Sequence, residues 1–247
     1  MTSEFDFTGK VVLITGGTRG LGRAMALGFA DAGADVIVAS RKTEACEATA
    51  AELRQLGVRA EGIACHVGEW DQVDALAAKA WDTFGKIDVL INNAGMSPLA
   101  PSSVETSEAL FDKVIAVNLK GAFRLTALIG SKMAAGEGGS IIQISSTGAL
   151  SPHPAFATYA GAKAALNAVS VAFSKEYAPK VRVNVISAGS FLTDIAEHWT
   201  DKEAMAQRAA LKRIGDPREI VGTALYLASE MASYTTGANI RVDGGVA

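Results

Sequence analysis

Tyr159 and Lys163 stand four residues apart, a spacing that puts a phenol and an ammonium on one face of any helix carrying them. A free phenol titrates near pH ~10 and exchanges protons poorly at neutral pH. An ammonium beside it would favour phenolate and lower that value. Taken alone, a tyrosine and a lysine at this spacing are an ordinary helical pair. Ser145 and Ser146 change the reading, because they close an apolar run and could hold a carbonyl oxygen against the phenol. The chemistry within reach is proton transfer at an oxygen atom.

A second group could hold phosphate. Thr15, Gly16, Gly17, Thr18, Arg19, Gly20, Leu21 and Gly22 follow directly on the apolar run Val11–Ile14, and a helical pattern follows them over Arg23–Ala34. A strand, a glycine turn and a helix place free N–H groups and the positive helix end beside a ligand. Glycines remove the Cβ atoms that would keep a pyrophosphate from the backbone. Glycine-rich loops that bind nothing are common, so this turn needs companions. Ser40 and Arg41 supply one set, at the end of a second strand where a dinucleotide fold meets the adenosine ribose. An acidic residue there would accept bonds from a 2′-hydroxyl; Ser40 stands in its place. Arg19 and Arg41, with no carboxylate nearby in sequence, suit a 2′-phosphate and so favour NADP(H) over NAD(H). The plainer alternative is two solvated surface arginines.

The elements that must position these groups alternate along the chain. Strands are expected at Val11–Ile14, Asp35–Ser40, Arg59–Cys65, Asp88–Asn92, Ser140–Ser145, Val181–Ser187 and Asn239–Val242. Helices are expected at Arg23–Ala34, Thr43–Leu56, Trp70–Phe84, Ser107–Met133 (one helix or two in succession), Ala157–Ala178, Asp201–Leu211 and Pro217–Leu227. Strands separated by helices of this length make a parallel sheet with right-handed crossovers. In such sheets the ligand lies beyond the carboxyl ends of the strands, where the glycine turn, Ser40 and the serine pair all fall.

Composition narrows the class. The 247 residues suffice for one α/β core spanning 1–247, and a hydrophobic content of 49% with 20% charged residues excludes disorder. A formal charge of −3 gives no general attraction to nucleic acid or anionic membrane. The start MTSEFDF is unlike a signal peptide, and no uninterrupted apolar run reaches membrane-spanning length. Cys46 and Cys65 lack disulfide or metal spacing, and His66, His153 and His198 suit no metal site. A cytoplasmic protein without a metal is the simplest expectation.

Together these motifs resemble the short-chain dehydrogenase/reductase superfamily in its single-domain form. The resemblance runs through nearly the whole chain: TGGTRGLG, NNAG at 92–95, Asn118, the serine pair, YAGAK, and RVDGG near the end. Each motif is weak alone, and all of them in this order are specific. The resemblance implies a Rossmann-like, doubly wound three-layer α/β sandwich of about seven parallel strands. It makes Tyr159 the general acid/base and has Lys163 hold the nicotinamide ribose while lowering the tyrosine pKa. It prefers Ser146 to Ser145, since the family's serine stands thirteen residues before its tyrosine, as Ser146 does. Asn118 would anchor a water linking Lys163 to solvent; its plainer reading is a helix-kink residue bonding backbone. Asn93, Ala94 and Gly95 would line the adenosine side, Thr193 would bond the carboxamide, and Phe191 would join the cofactor wall. His66 and Val67 fall where the family often has an aspartate and a hydrophobic residue beside adenine. Ala188-Gly189 replaces the usual Pro-Gly after strand six, which frees a backbone dihedral.

The implied reaction is hydride transfer between nicotinamide and a carbonyl or carbinol carbon, with the protein supplying orientation and a proton donor. Met96 to Leu99, Leu150 to Phe156, and Phe191, Leu192, Ile195, His198 and Trp199 in a lid over 189–214 form a mostly apolar pocket set. That favours an uncharged, fairly hydrophobic ketone or secondary alcohol. A 3-ketoacyl-thioester or a sugar or polyol could use the same site, and a silent dinucleotide sensor is the alternative class. Small residues along the helix of Tyr159 suggest pairing between subunits in a homotetramer or homodimer; close packing within one subunit is the other reading.

Overall fold

The computed structural model describes residues 5–194 and 201–246. Seven parallel strands form one sheet in the order β3-β2-β1-β4-β5-β6-β7. They are β1 Val11–Thr15, β2 Asp35–Ser40, β3 Ala60–Ala64, β4 Val89–Asn92, β5 Gly139–Ser146, β6 Val181–Ala188 and β7 Asn239–Val242. The strand order reverses between β1 and β4, and this doubly wound arrangement opens a crevice at their carboxyl ends. Thr15 pairs with Asn92 across that reversal, and Ser146 lies level with Ala188.

Period-two alternation within fully buried strands explains the layering. Val12 and Ile14 join one core with Met25 and Phe29 of α1 (Gly20–Asp31), Leu53 of α2 (Thr43–Arg54) and Leu227 of α8 (Val221–Ala228). Val11 and Leu13 face the opposite core, with Leu76 of α3 (Trp70–Phe84), Ile129 of α5 (Gly121–Ala135) and Phe173 of α6 (Ala157–Glu176). Each fully buried aliphatic or aromatic side chain contributes roughly 1.5–3 kcal/mol, so the sheet is a rigid base for the loops at its edge.

The expected helix Ser107–Met133 is interrupted. α4 (Glu108–Ile115), capped by the Ser107 hydroxyl, passes into a π-helical turn, Ala116–Lys120, before α5 resumes. Together they form an apolar helix, Glu108–Ala135, long enough to cross a membrane by length and composition. Val114, Val117, Leu125, Ile129 and Met133 of this helix are buried in the protein core. The expected helix at 201–211 shortens to α7, Lys202–Arg208, and that at Pro217 begins as a 3₁₀ turn, Pro217–Ile220, before α8. Asp216 caps it with a capping box closed by Glu219.

Candidate active site

The glycine turn leaves β1 with two residues in the left-handed region, Gly16 at φ +65° and Gly20 at φ +53°. Gly22 is required for space. A Cβ there would stand 2.2 Å from the Gly16 carbonyl oxygen and 2.4 Å from Asn93 Nδ2. Thr18 is half-buried in the turn, and Leu21 packs on the core beneath it. Arg19 precedes α1 in extended conformation, with no side-chain cap and no acidic residue in the helix's first turn. An α-helix begins with N–H groups that lack intrahelical partners, so this uncapped end fits the pyrophosphate of a dinucleotide. Gly22→Ala is expected to cost about 1–3 kcal/mol through overpacking and to abolish dinucleotide binding. Thermal melting and cofactor fluorescence would show both effects, and an unimpaired variant would refute the tight-turn account.

The segment after β4 is tied to this turn. The Thr15 hydroxyl accepts the N–H groups of Asn93 and Ala94, each at 3.1 Å, and Asn93 Nδ2 donates to Thr15 and Gly16 carbonyls. Thr15 thus organises the loop, a role hidden in sequence because its partners lie far along the chain. At the β2 edge Ser40 is half-buried and Arg41 exposed, and Arg41 makes no ion pair among the described residues. Arg19 differs from expectation: a carboxylate does lie beside it, Asp194 Oδ2 at 3.5 Å from Nη1.

Ser146 of β5, Tyr159 and Lys163 of α6, and Asn118 of the π-turn come from three different elements and converge beyond β5. Ser146 ends β5, and its Oγ accepts the Gly148 N–H at 3.0 Å, which orients the hydroxyl for a further bond. Ser145 instead is buried and directed to the Lys163 carbonyl at 3.5 Å, so it is not the available serine. Tyr159 bonds Ser146 by its side chain; burial pushes its phenol above the ordinary value and that bond partly offsets the rise. Its ring meets Phe156 edge-on at 6.2 Å. Lys163 is 4% exposed, donates to the Ile144 carbonyl at 2.8 Å, and is pulled by burial down to about 8. Burial thus acts on both groups, raising the Tyr159 phenol and lowering the Lys163 ammonium.

Asn118 sits in the π-turn. Its Nδ2 donates to the Met96 and Val114 carbonyls at 2.9 and 3.0 Å, and its Oδ1 accepts the Met96 N–H at 3.1 Å. Both amide hydrogens are thus spent on backbone, which makes the side chain a clamp on the loop after β4. Gly95 lies where Asn118 and Lys163 meet: a Cβ on it would stand 2.9 Å from Asn118 Oδ1 and 3.6 Å from Lys163 Nζ.

The remaining expected residues divide. His66 Nδ1 accepts the Gly68 N–H at 3.2 Å, and its main-chain N–H donates to Gln72, so the ring caps its own turn. The Val67 carbonyl lies against Gly121, where a Cβ could not fit, and its side chain packs on the core. Phe191 needs correction. It is 5% exposed, belongs to the core cluster and packs on Gly215, so its ring is not a free pocket wall. Thr193 stands over the glycine turn, 3.2 Å from the Cβ position of Gly20. Leu99, Leu150 and Leu192 are exposed, while Ile195, His198 and Trp199 lie outside the described residues.

Such a fold and site define a dinucleotide-binding oxidoreductase. A family model described as enoyl-(acyl carrier protein) reductase matches residues 16–247. Human dehydrogenase/reductase SDR family member 4 is 35% identical over 99% of this chain and 90% of its own length. A 2-dehydro-3-deoxy-D-gluconate 5-dehydrogenase of Pseudoalteromonas atlantica is 38% identical over 99% and 98%. Among solved structures, a short-chain type dehydrogenase/reductase from Mycobacterium marinum superposes with a TM-score of 0.93, at 34% identity over 98% and 97% of the two chains. A 7α-hydroxysteroid dehydrogenase complexed with NADH and 7-oxo glycochenodeoxycholic acid reaches 0.92, at 32% identity over 98% and 95%. The chain belongs to the short-chain dehydrogenase/reductase superfamily and is an NAD(P)-dependent oxidoreductase of small molecules.

Proposed function

We propose that this chain is an NADP(H)-preferring carbonyl reductase, interconverting an uncharged, fairly hydrophobic ketone with its secondary alcohol. The observation that carries this reading is the placement of Tyr159 and buried Lys163 on α6 beside Ser146 at the end of β5; Tyr159, whose phenol burial raises, is the proton donor. A raised phenol stays protonated through the neutral range and is a proton donor, as carbonyl reduction needs. In this reading Gly16, Thr18, Gly20, Leu21 and Gly22 cradle the pyrophosphate. Asn93, Ala94 and Gly95 flank the adenosine with His66 and Val67, and Thr193 takes the carboxamide. When bound, the dinucleotide supplies the hydride. Ser146 and Tyr159 hold the carbonyl oxygen, and the Tyr159 O–H bond breaks as its proton passes to that oxygen. Lys163 would hold the nicotinamide ribose and contribute its ammonium, and Asn118 fixes the loop that carries Gly95.

The NADP(H) preference rests on Ser40 in place of a carboxylate, with Arg41 exposed beside it and without an ion pair among the described residues. Substrate class rests on the exposed apolar side chains of Leu99, Leu150 and Leu192, in the loops after β4, β5 and β6. Assembly as a homotetramer, or as a homodimer, is supported by α6: Ala157, Gly161, Ala164, Ala168 and Val171 form an exposed stripe at helical spacing. The unpaired, buried Cys46 and Cys65 support a cytoplasmic location. A panel of ketones and alcohols followed by nicotinamide absorbance with both cofactors tests the reading. Reduction of apolar ketones with kcat/KM higher for NADPH than NADH is the expected result. A preference for NADH would overturn the account of the β2 edge, and tight NADPH binding without turnover of any substrate would favour a sensor.

A further inference from the structure

Arg19 is one of two arginines that could meet a 2′-phosphate, and the fold brings it a carboxylate from 175 positions away. The contact follows from how the backbone is laid. The Gly189 N–H donates to the Val242 carbonyl at 2.9 Å, the Leu192 N–H to Gly215 at 2.9 Å, and the Gly215 N–H to Ser190 at 3.0 Å. These bonds fix the stretch after β6 across the glycine turn, where Thr193 fills the space above Gly20. Asp194 is the next residue, and its Oδ2 comes 3.5 Å from Arg19 Nη1. Arg23, the other arginine at this end of α1, is turned away to Glu52 of α2, and Arg54 pairs with Glu47. Among the described residues, Asp194 is the carboxylate paired with Arg19, while Arg41 carries none.

We propose that Asp194 is a specificity-determining residue for the dinucleotide, competing with the 2′-phosphate for Arg19 and so tempering the preference for NADP(H). This rests on the reading of Arg19 as a phosphate ligand. A phosphate monoester carries nearly two negative charges and offers guanidinium several strong acceptors, so it displaces a single carboxylate. The displaced carboxylate stays close by and repels the phosphate through solvent. A 2′-hydroxyl meets neither conflict. Both partners of the pair are more than half exposed, with side-chain exposures of 61% and 52%, so the effect is modest and salt-sensitive.

The test measures Kd for NADPH and NADH, by reduced-nicotinamide fluorescence, in wild type, Asp194→Asn, Asp194→Glu, Arg19→Ala and the Arg19→Ala/Asp194→Asn double variant. Asp194→Asn is expected to tighten NADPH about two- to fivefold and leave NADH unchanged. Asp194→Glu keeps the wild-type ratio. The gain disappears in the Arg19→Ala background and shrinks at high salt, as a direct coupling requires. Equal tightening of both cofactors, or a gain that survives Arg19→Ala, overturns the proposal. If Arg19→Ala weakens NADPH selectively but Asp194→Asn changes nothing, the proposal fails and the phosphate reading stands. If Arg19→Ala leaves the NADPH-to-NADH ratio unchanged, the phosphate reading itself falls and takes the proposal with it.

Discussion

Tyr159→Phe is expected to lower kcat for carbonyl reduction by about 10³-fold, within the range for losing a positioned proton donor. NADPH affinity is expected to change by less than about twofold, because the substitution removes one oxygen and keeps the ring. That ring is fixed independently of its hydroxyl: Phe156 meets it edge-on, and Phe156 in turn lies against Gly148, where a Cβ would approach it to 3.1 Å. The Ser146 hydroxyl also keeps its orienting bond from the Gly148 N–H when the phenol is gone. The variant therefore isolates proton delivery from site geometry. Single-turnover rates and cofactor titrations on the same preparation would check it, and substantial residual turnover would refute the role given to Tyr159.

How much of this could be read before the fold was known depends on the reach of each interaction. β1, β2 and β4 are legible because apolar β-branched runs such as VVLIT and DVIVAS have few other stable fates than a buried parallel strand. The glycine turn is legible because positive φ at Gly16 and Gly20 is a local demand written in residue type. The exact form of the π-turn is not, since Val114, Val117 and Leu125 sustain helical periodicity straight through it; only the plainer reading of Asn118, a helix-kink residue bonding backbone, points there, and Asn118 does donate to the Val114 carbonyl. The Arg19–Asp194 pair was equally hidden, since nothing local links the ends of β1 and β6. Phe191 shows the opposite error: a large apolar residue in a loop near the site suggested a pocket wall, but Gly215 leaves a slot that takes the ring into the core. Spacing located the candidate chemistry, and long-range packing decided which atoms remain available for it.

Lys163 illustrates how burial sets the terms for that chemistry. Its ammonium has three donors, yet in a site that leaves 4% of the residue exposed one bond is made, to the Ile144 carbonyl. Burial accordingly lowers its pKa from 10.5 to about 8. A lysine that holds its proton less tightly folded than unfolded costs stability below the folded value, and the cost fades as pH rises from about 8 to about 10.5. The Lys163 contribution to stability should therefore climb across that interval, against the opposite contributions of Cys65 and Tyr177, which burial raises to about 11 and about 12. Lys163→Met keeps the length of the side chain and removes the charge. Linkage sets the gain below pH ~8 on the order of 3 kcal/mol, reduced by about 1 kcal/mol for the lost hydrogen bond at Ile144. A variant about 2 kcal/mol more stable at pH 7, with no rise in stability towards pH 10, is the expected result of denaturant titrations. Turnover should move the other way, falling about 10²-fold or more once no ammonium faces the ribose and the phenol. Wild-type turnover should likewise decline above about pH 8, as that ammonium is lost. A purely structural lysine would give the reverse pattern, destabilised when replaced and active as far as it remains folded. Stability and rate measured on one variant thus decide whether the burial of Lys163 is a cost carried for function.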